Sequence, residues 1–379
     1  MGLSIERISL LNFRSYDSLE LDGLGGLTVF VGPNAVGKTN IIEAVELLTA
    51  QTSFRHPTNE ELVREGSDFS RVSAVVAGDG RRLDLEMSVK EGRRNYSLNG
   101  KGKHAADLKG LLPSVVFTPD DLELAKGSMS KRRDALDDVG CQLSKNHYLI
   151  KKDYEKVIQH KNRLLKEEAG DDLVESINEL LLTCGSQLCA YRSALFLRLS
   201  AEMESCYEQI SGGRERLKAC YVPSWEDYDS QVARTCSFGR EEAREALSRK
   251  LRSCAREERE RKRSLAGPHL DKIDFFLDGK NVGSYASQGQ QRSVVLAFKM
   301  AEAKVIQDML AQKPVMLLDD VMSELDASRR RALVDFMSCG EQTIVTATNL
   351  GYFDEDMISL AQVVRLPLGD GEQTREEVS

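Results

Sequence analysis

The eight residues Gly32-Pro33-Asn34-Ala35-Val36-Gly37-Lys38-Thr39 constrain this chain more than any other stretch. They follow the apolar run Leu27-Thr28-Val29-Phe30-Val31, which reads as a buried strand. They precede residues 40–50, where Ile41, Ile42, Val45 and Leu48 fall at helical spacing. A strand, a turn of the form G-x-x-x-x-G-K-[ST] and a helix make a phosphate-binding loop. The glycines let the backbone wrap an anion with its N–H groups inward, and the helix N-terminus adds favourable partial charge. The residues from Gly32 to Asn40 are therefore the candidate nucleotide site, with ATP and Mg²⁺ as cofactors. Lys38 is placed to reach the β- and γ-phosphates, and the Thr39 hydroxyl to meet Mg²⁺. Lys38 is expected to lie exposed, so that truncating it costs the fold little.

Such a site needs a second half. Val315-Met316-Leu317-Leu318-Asp319-Asp320 is four apolar residues followed by two carboxylates. Asp319 should emerge at the C-terminal end of a buried strand, beside the phosphates, and hold Mg²⁺ through its water shell. Asp320 follows directly and is the candidate that polarises the attacking water, with Lys38 as the other catalytic residue. A buried strand ending in an acid is common. Its pairing with the loop gives it meaning.

At 379 residues the chain suggests two lobes. Strand texture occupies the start, where Ile5, Ile8 and Leu10 precede Leu19 and Leu21, and returns between 71 and 100 as an antiparallel sheet. No proline occurs between Pro119 and Pro223, and leucine periodicity there predicts packed helices. Residues 239–263 predict a charged helix, and 291–310 an amphipathic one. Strands are expected at 270–282, 314–319 and 342–346, and residues after Pro367 should be frayed. The fold class is α/β: a head lobe from 1–119 and 264–379, with a mainly helical arm inserted at 120–263. No run approaches the ~20 apolar residues of a membrane helix, and the start lacks a secretory pattern, so a cytoplasmic protein without a membrane partner is expected. The eight cysteines include no C-x-x-C pair and read as reduced core thiols. A net charge of −8 argues against a general nucleic-acid coat, yet leaves room for a local basic patch.

Three further stretches narrow the class. Ala286-Ser287-Gln288-Gly289-Gln290-Gln291 opens a helix and resembles the ABC signature, with Ser287, Gly289 and Gln290 at its ligand-facing positions. Taken alone it is equally a polar turn and helix cap. Ser323-Glu324-Leu325-Asp326 resembles the D-loop. Leu10-Leu11-Asn12-Phe13-Arg14-Ser15-Tyr16, Val116-Phe117-Thr118-Pro119-Asp120-Asp121-Leu122, Asn162-Arg163-Leu164-Leu165-Lys166 and Leu317-Leu318-Asp319-Asp320-Val321-Met322 resemble segments of the RecF family, across nearly the whole chain. That resemblance implies an ABC/SMC-type ATPase head (lobe I) with a helical arm (lobe II). It implies two heads sandwiching ATP, DNA binding at duplexes or junctions, slow hydrolysis, and help in recombinase loading at gaps together with RecO and RecR. Arg14 is either a nucleotide contact or a salt-bridge partner.

The chain departs from the wider ABC pattern. Asp320 stands where glutamate is usual, which predicts weak hydrolysis. Thr346-Ala347-Thr348-Asn349 carries no switch histidine, so a hydroxyl or amide serves or the role is absent. No clear glutamine loop occurs near 118–122, where Asp120 or Asp121 could stand. These departures count against the alternative of a transporter's nucleotide-binding subunit. For DNA, the run Arg249, Lys250, Arg252, Arg256, Arg259 and Arg263 could neutralise phosphates, as could Lys145, Lys151, Lys152, Lys156, Lys161, Arg163 and Lys166. The competing reading is a solvated face with i,i+4 pairs such as Arg256 with Glu260.

Overall fold

The computed structural model describes residues 2–227, 235, 237–323, 325–337 and 342–367. The tail at 368–379, Glu324, Cys236 and Cys339 lie outside the described residues. The chain divides into two compact units, 1–121 with 306–379 and 122–305.

The first unit holds two sheets. One has five parallel strands in the order β14 (Gln362–Arg365), β3 (Leu27–Val31), β13 (Thr343–Ala347), β12 (Val315–Asp319) and β8 (Ser114–Phe117). The other is antiparallel, in the order β2 (Tyr16–Asp22), β1 (Ser4–Phe13), β4 (Phe69–Gly78), β5 (Arg81–Lys90), β6 (Arg93–Leu98) and β7 (Lys101–Lys103). Its strands alternate as a half-buried sheet should: Val72, Ala74 and Val76 point inward, as do Leu85, Met87 and Val89. Helix α1 (Lys38–Thr49) contacts strands of both sheets, and one apolar cluster joins all three. Its residues from Ile41 to Thr49 are all buried, which explains a helix apolar around most of its circumference. The short α2 (Ala105–Leu108), α10 (Ala327–Met337) and α11 (Glu355–Leu360) complete the unit.

The second unit contains α3 (Glu123–Lys126), α4 (Met129–Leu143), α5 (Lys145–Lys166), α6 (Asp171–Ser211), α7 (Arg240–Arg261), α8 (Val282–Tyr285) and most of α9 (Gln288–Leu310). A small antiparallel sheet runs β11 (Lys280–Asn281), β10 (Lys272–Leu277), β9 (Leu217–Val222). The packed helices expected between Pro119 and Pro223 are joined by one strand the sequence did not reveal, β9, where Leu217 to Val222 pairs in register with Leu277 to Lys272. Tyr154, Ile158, Leu181, Leu188, Leu247 and Leu251 form the core between α5, α6 and α7.

Polar groups hold this unit together as well. Arg132 pairs with Asp274 and donates to the carbonyls of Leu124, Ala125 and Ile273. Arg192 forks onto Asp137 at 2.8 and 2.7 Å and reaches Asp271 at 3.3 Å. Each cation is nearly water-free, so each persists only because it is paired and fully hydrogen-bonded. Helix α6 is long and apolar enough to cross a membrane by length and composition, but 61% of that window is buried in the protein. Its packing against α5, α7 and β9 accounts for the apolar residues. The six described cysteines are buried and form no disulfide.

Candidate nucleotide site and basic helices

The parallel sheet sets the geometry of the site. Strand β13 lies between β3 and β12, with Ala347 opposite Val31 and Thr346 opposite Asp319. The C-terminal ends of the loop-bearing strand and the acid-bearing strand therefore stand on either side of Thr346. Gly32 starts the turn so tightly that a Cβ there would sit 2.4 Å from the Leu366 carbonyl oxygen. Gly37 ends it at φ 105°, a left-handed conformation that opens α1. A Cβ on Gly37 would lie 2.8 Å from the Tyr16 hydroxyl. That hydroxyl is buried and has no hydrogen-bond partner among the described residues, and burial pushes its pKa up to about 12.

Lys38 is buried, contrary to the expectation of an exposed side chain. Its Nζ donates to the carbonyls of Gly32 at 2.7 Å and Pro33 at 2.9 Å. Those oxygens satisfy an ammonium as phosphate oxygens would, so the lysine folds back along its own loop. Truncating it removes two charge-assisted bonds and must cost some stability.

The Thr39 hydroxyl donates to Asp319 Oδ1 at 2.9 Å, and the Thr346 hydroxyl donates to the same oxygen at 2.7 Å. The Asp320 backbone N–H in turn donates to Thr346 Oγ1 at 3.0 Å. Thr346 thus ties the Asp319 carboxylate to the Asp320 main chain. Asp320 adopts φ 52°, which turns the chain sharply at the end of β12; aspartate tolerates this conformation better than most residues. Two hydroxyls and a carboxylate converging on one point are hard oxygen donors, the type that suits Mg²⁺.

Arg14 forms a bidentate salt bridge with Glu43, at 2.9 and 2.7 Å, and donates to the Glu61 carbonyl at 2.9 Å. Glu43 is fully buried and also accepts from Ser53 Oγ at 2.7 Å and Arg55 at 3.3 Å. Arg55 reaches Asn40 Oδ1 at 2.8 Å, and Asn40 Nδ2 donates to Ser15 Oγ at 2.9 Å. Sequence reasoning missed Glu43, Arg55 and Tyr16, and it named Thr346 only as one of a segment's possible hydroxyls, not as the partner of Asp319. Glu43 alone had a signal, a charged residue inside an apolar helix repeat.

Ser287 and Gln290 form a reciprocal cap at the start of α9. Gln290 N donates to Ser287 Oγ at 3.2 Å, and Ser287 N donates to Gln290 Oε1 at 2.7 Å. The Gln290 amide also donates to Glu215 at 2.6 Å. Ser287 is exposed, and Gly289 half-buried in the first turn. Asp121 accepts from Thr118 N at 2.6 Å and so closes its own turn. Asp326 caps α10 by accepting from Arg329 N at 3.0 Å. Asn349 accepts from Gly351 N at 2.6 Å.

The basic helices sort sharply. Lys161 is fully buried against Glu258, at 2.8 and 2.9 Å, which removes it from the candidate phosphate contacts. Lys151 turns to Asp137 and Asp138. On α7, Arg249 pairs with Glu245, Arg256 with Glu260, Arg259 with Asp171 and Arg261 with Glu257. Lys262, just past the helix, pairs with Glu168. The described residues offer no carboxylate to Lys250, Arg252 or Arg263. Among the described residues no cluster of His, Cys, Asp or Glu could hold a metal by itself.

Comparison with known proteins agrees with this geometry. Residues 4–365 match the RecF/RecN/SMC N terminal domain. The DNA replication and repair protein RecF of Acaryochloris marina is 33% identical over 96% of this chain and 98% of its own. That of Synechococcus sp. (strain JA-3-3Ab) is 35% identical over 96% of each. Among solved structures, the recombination mediator protein RecF-ATPrS in the RecFOR pathway superposes with a TM-score of 0.85 at 28% identity. It covers 93% of this chain and 94% of that one. RecF-ATP gives a TM-score of 0.82 at 29% identity, with 92% and 94% covered. An Smc head bound to the C-winged helix domain of ScpA shares the fold at 16% identity, with a TM-score of 0.52 and 97% and 95% covered.

Proposed function

Since the chain belongs to the RecF family of DNA replication and repair proteins, we propose that it is a cytoplasmic, ATP-dependent DNA-binding protein of recombinational repair. It dimerises on ATP, hydrolyses it slowly, and helps load a recombinase at gaps or junctions with RecO and RecR. The observation that carries the nucleotide reading is the convergence of Thr39, Thr346 and Asp319 beside the loop from Gly32 to Lys38. Its alternative, a transporter's nucleotide-binding subunit, is not favoured by relatives that are RecF proteins along nearly their full length.

Each residue has a separable part. The backbone N–H groups of the loop and the first turn of α1 cradle the phosphates. Lys38 swings from the Gly32 and Pro33 carbonyls to the β- and γ-phosphates. Thr39 and Asp319 would hold Mg²⁺, which would supply charge neutralisation at the phosphates. Thr346 fixes the orientation of Asp319 and the path of the chain into Asp320. The Asp320 carboxylate orients and polarises a water; being one methylene shorter than glutamate, it does so at longer reach, and turnover is slow. Ser287 and the α9 N-terminus face a second copy's γ-phosphate across the dimer, with Gly289 and Gln290 in the same turn. The head at 1–119 and 264–379 carries this chemistry, and the arm at 120–263 carries DNA contact. On α7 that contact falls to Arg249, Lys250, Arg252, Arg256, Arg259 and Arg263, of which Arg249, Arg256 and Arg259 also meet carboxylates in solvent-exposed pairs.

Sizing the protein with and without ATP, in parallel with nucleotide titration, tests the reading. Asp320→Asn should bind ATP and stay dimeric longer, with hydrolysis slowed. Asp319→Asn should lose the Mg²⁺-dependent part of binding. Identical losses in both variants would refute the division of roles, and an ATP-insensitive monomer would refute the dimer.

A further inference from the structure

We propose that the outer face of α5 is a docking surface for the phosphate backbone of duplex DNA. This rests on the DNA-binding reading above and names where on the arm the contact is made. Helix α5 buries His147, Tyr154, Ile158, Lys161 and Leu165. At 100° per residue these lie on one side, and Lys145, Lys152, Lys156 and Arg163 fall within about 20° of a single line on the opposite side. All four are exposed. The helix has only two acids, Asp153 and Glu155, and both lie to the flanks of that line. The described residues offer no carboxylate partner to Lys152, Arg163 or the flanking Lys166. Lys156 meets Asp153 at 3.2 Å in a pair 75% and 59% exposed, which water and salt weaken. Lys152 rests over the Tyr148 ring at 4.6 Å, which holds its stem against the helix.

This face differs from that of α7, where Glu245, Glu257 and Glu260 sit beside the arginines and lower the net charge of the helix, although those pairs are as exposed as Lys156 with Asp153. Its occupant follows from charge and length. A cationic stripe on a chain of net charge −8 selects a polyanion. From Lys145 to Arg163 the stripe spans about 27 Å at 1.5 Å per residue. That is the rise of roughly eight base pairs at ~3.4 Å each, so the stripe is long enough to meet several phosphates of a duplex lying against it. The face presents no row of exposed aromatic rings, which stacking on unpaired bases would require. Lys161 contributes by its absence from this face: bound to Glu258, it pins α5 to α7 and leaves the stripe pointing away from the core.

The test uses the full chain with ATP and a labelled duplex longer than the stripe, with anisotropy followed across a salt series. The triple variant Lys152→Glu, Lys156→Glu, Arg163→Glu should bind at least tenfold more weakly, with a salt slope smaller by about 2.7, or about 0.9 per contact. Arg249→Glu with Arg256→Glu, on a helix where glutamates sit beside the arginines, should change both less than the α5 triple variant does. Lys152→Gln, Lys156→Gln and Arg163→Gln, taken singly, guard against a folding effect. Each should lower the slope by about 0.9 with an unchanged melting temperature. Wild-type affinity and slope in the triple variant would overturn the assignment while leaving DNA binding intact. So would a loss confined to single strands. A wild-type chain that binds no duplex at all would overturn the underlying reading together with this one.

Discussion

Lys161→Met should be the most damaging single substitution of any lysine in the basic helices, although Lys161 touches no ligand. Its side chain is 0% exposed and its partner Glu258 2% exposed. Burial pushes the Lys161 pKa down, against the opposing pull of Glu258. Glu258 Oε1 also accepts from Ser264 Oγ at 2.9 Å and from Leu265 N at 2.8 Å, so the pair anchors the chain leaving α7. Removing the ammonium strands a buried carboxylate, which costs about 3–5 kcal/mol. For a unit of this size each kcal/mol moves Tm by about 2–4 °C, giving a fall of roughly 6–20 °C in the melting of the second unit. Adding Glu258→Gln should restore most of it. The amide oxygen still accepts from Ser264 and Leu265, and no buried charge remains. Circular dichroism melts of the three proteins decide the matter, with duplex affinity measured well below Tm. The double variant should bind DNA as the wild type does, because Lys161 faces the core. A single variant that melts like wild type, or a double variant no better than the single, would refute this account of the pair.

Thr346→Val keeps the volume and deletes the hydroxyl that holds Asp319. A hydrogen bond to a charged group is worth about 1.5–3 kcal/mol, so Mg²⁺-dependent ATP affinity should fall roughly 10- to 150-fold, while binding in a chelator changes little. Calorimetry with and without Mg²⁺ reads both. Ser287→Arg should block ATP-driven dimerisation in a sizing experiment yet leave nucleotide binding by one head. Its partner variant Lys38→Met should lose ATP binding and also melt slightly lower, since two bonds to Gly32 and Pro33 are lost. Finally, burial lowers His269 from 6.5 to about 4, and burial raises Asp271 from 3.8 to about 6. A depressed histidine makes stability fall as pH drops from 6.5 to 4, whereas a raised aspartate makes it rise as pH drops from 6 to 3.8; the two slopes oppose each other. His269→Gln leaves Asp271 alone, so the variant should gain stability on acidification from pH 6 to 4 relative to wild type, measured as Tm against pH. Parallel pH profiles would refute the assignment.

The phosphate loop was legible because its chemistry is local. An anion wrapped by backbone N–H groups needs glycines at fixed offsets and a strand and helix on either side, and all of that lies within residues 27–50. The buried strand ending in Asp319 was legible from its own four apolar residues, but only the loop 280 residues away gave its acids a meaning. Thr346 was not, because its role depends on β13 lying between β3 and β12, and strand order is a property of the whole sheet. The sequence offered this segment as one where a hydroxyl or amide stands in for a missing histidine, without saying which group or what it holds. The structure shows its first hydroxyl buried and spent on Asp319. Strand β9 was lost to its neighbours: six residues after a 41-residue helix carry too little pattern of their own, and only pairing with β10 makes them a strand. Lys161 was lost because composition counts charges without saying which side of a helix they occupy.

That last failure bears on the chain's charge as a whole. A net charge of −8 suggests a surface hostile to DNA, but net charge averages over groups that never meet solvent. Asp137, Asp271, Asp274 and Glu258 are each almost completely buried. Their counter-charges Arg192, Arg132 and Lys161 are buried with them. Asp137 stays ionised there: burial pushes its pKa up, and Arg192 outweighs burial and carries it far below the usual carboxylate range. These four carboxylates and three cations largely neutralise one another, with Arg192 shared by Asp137 and Asp271, and project little field outward. What an approaching duplex meets is the residue of that sorting. On α7 it is a face of alternating arginine and glutamate, and on α5 a line of cations with the acids set to the side. Within a Debye length of about 8 Å at physiological salt, that local arrangement governs attraction, and distant carboxylates are screened out. An acidic chain can therefore present a cationic helix to a phosphate backbone.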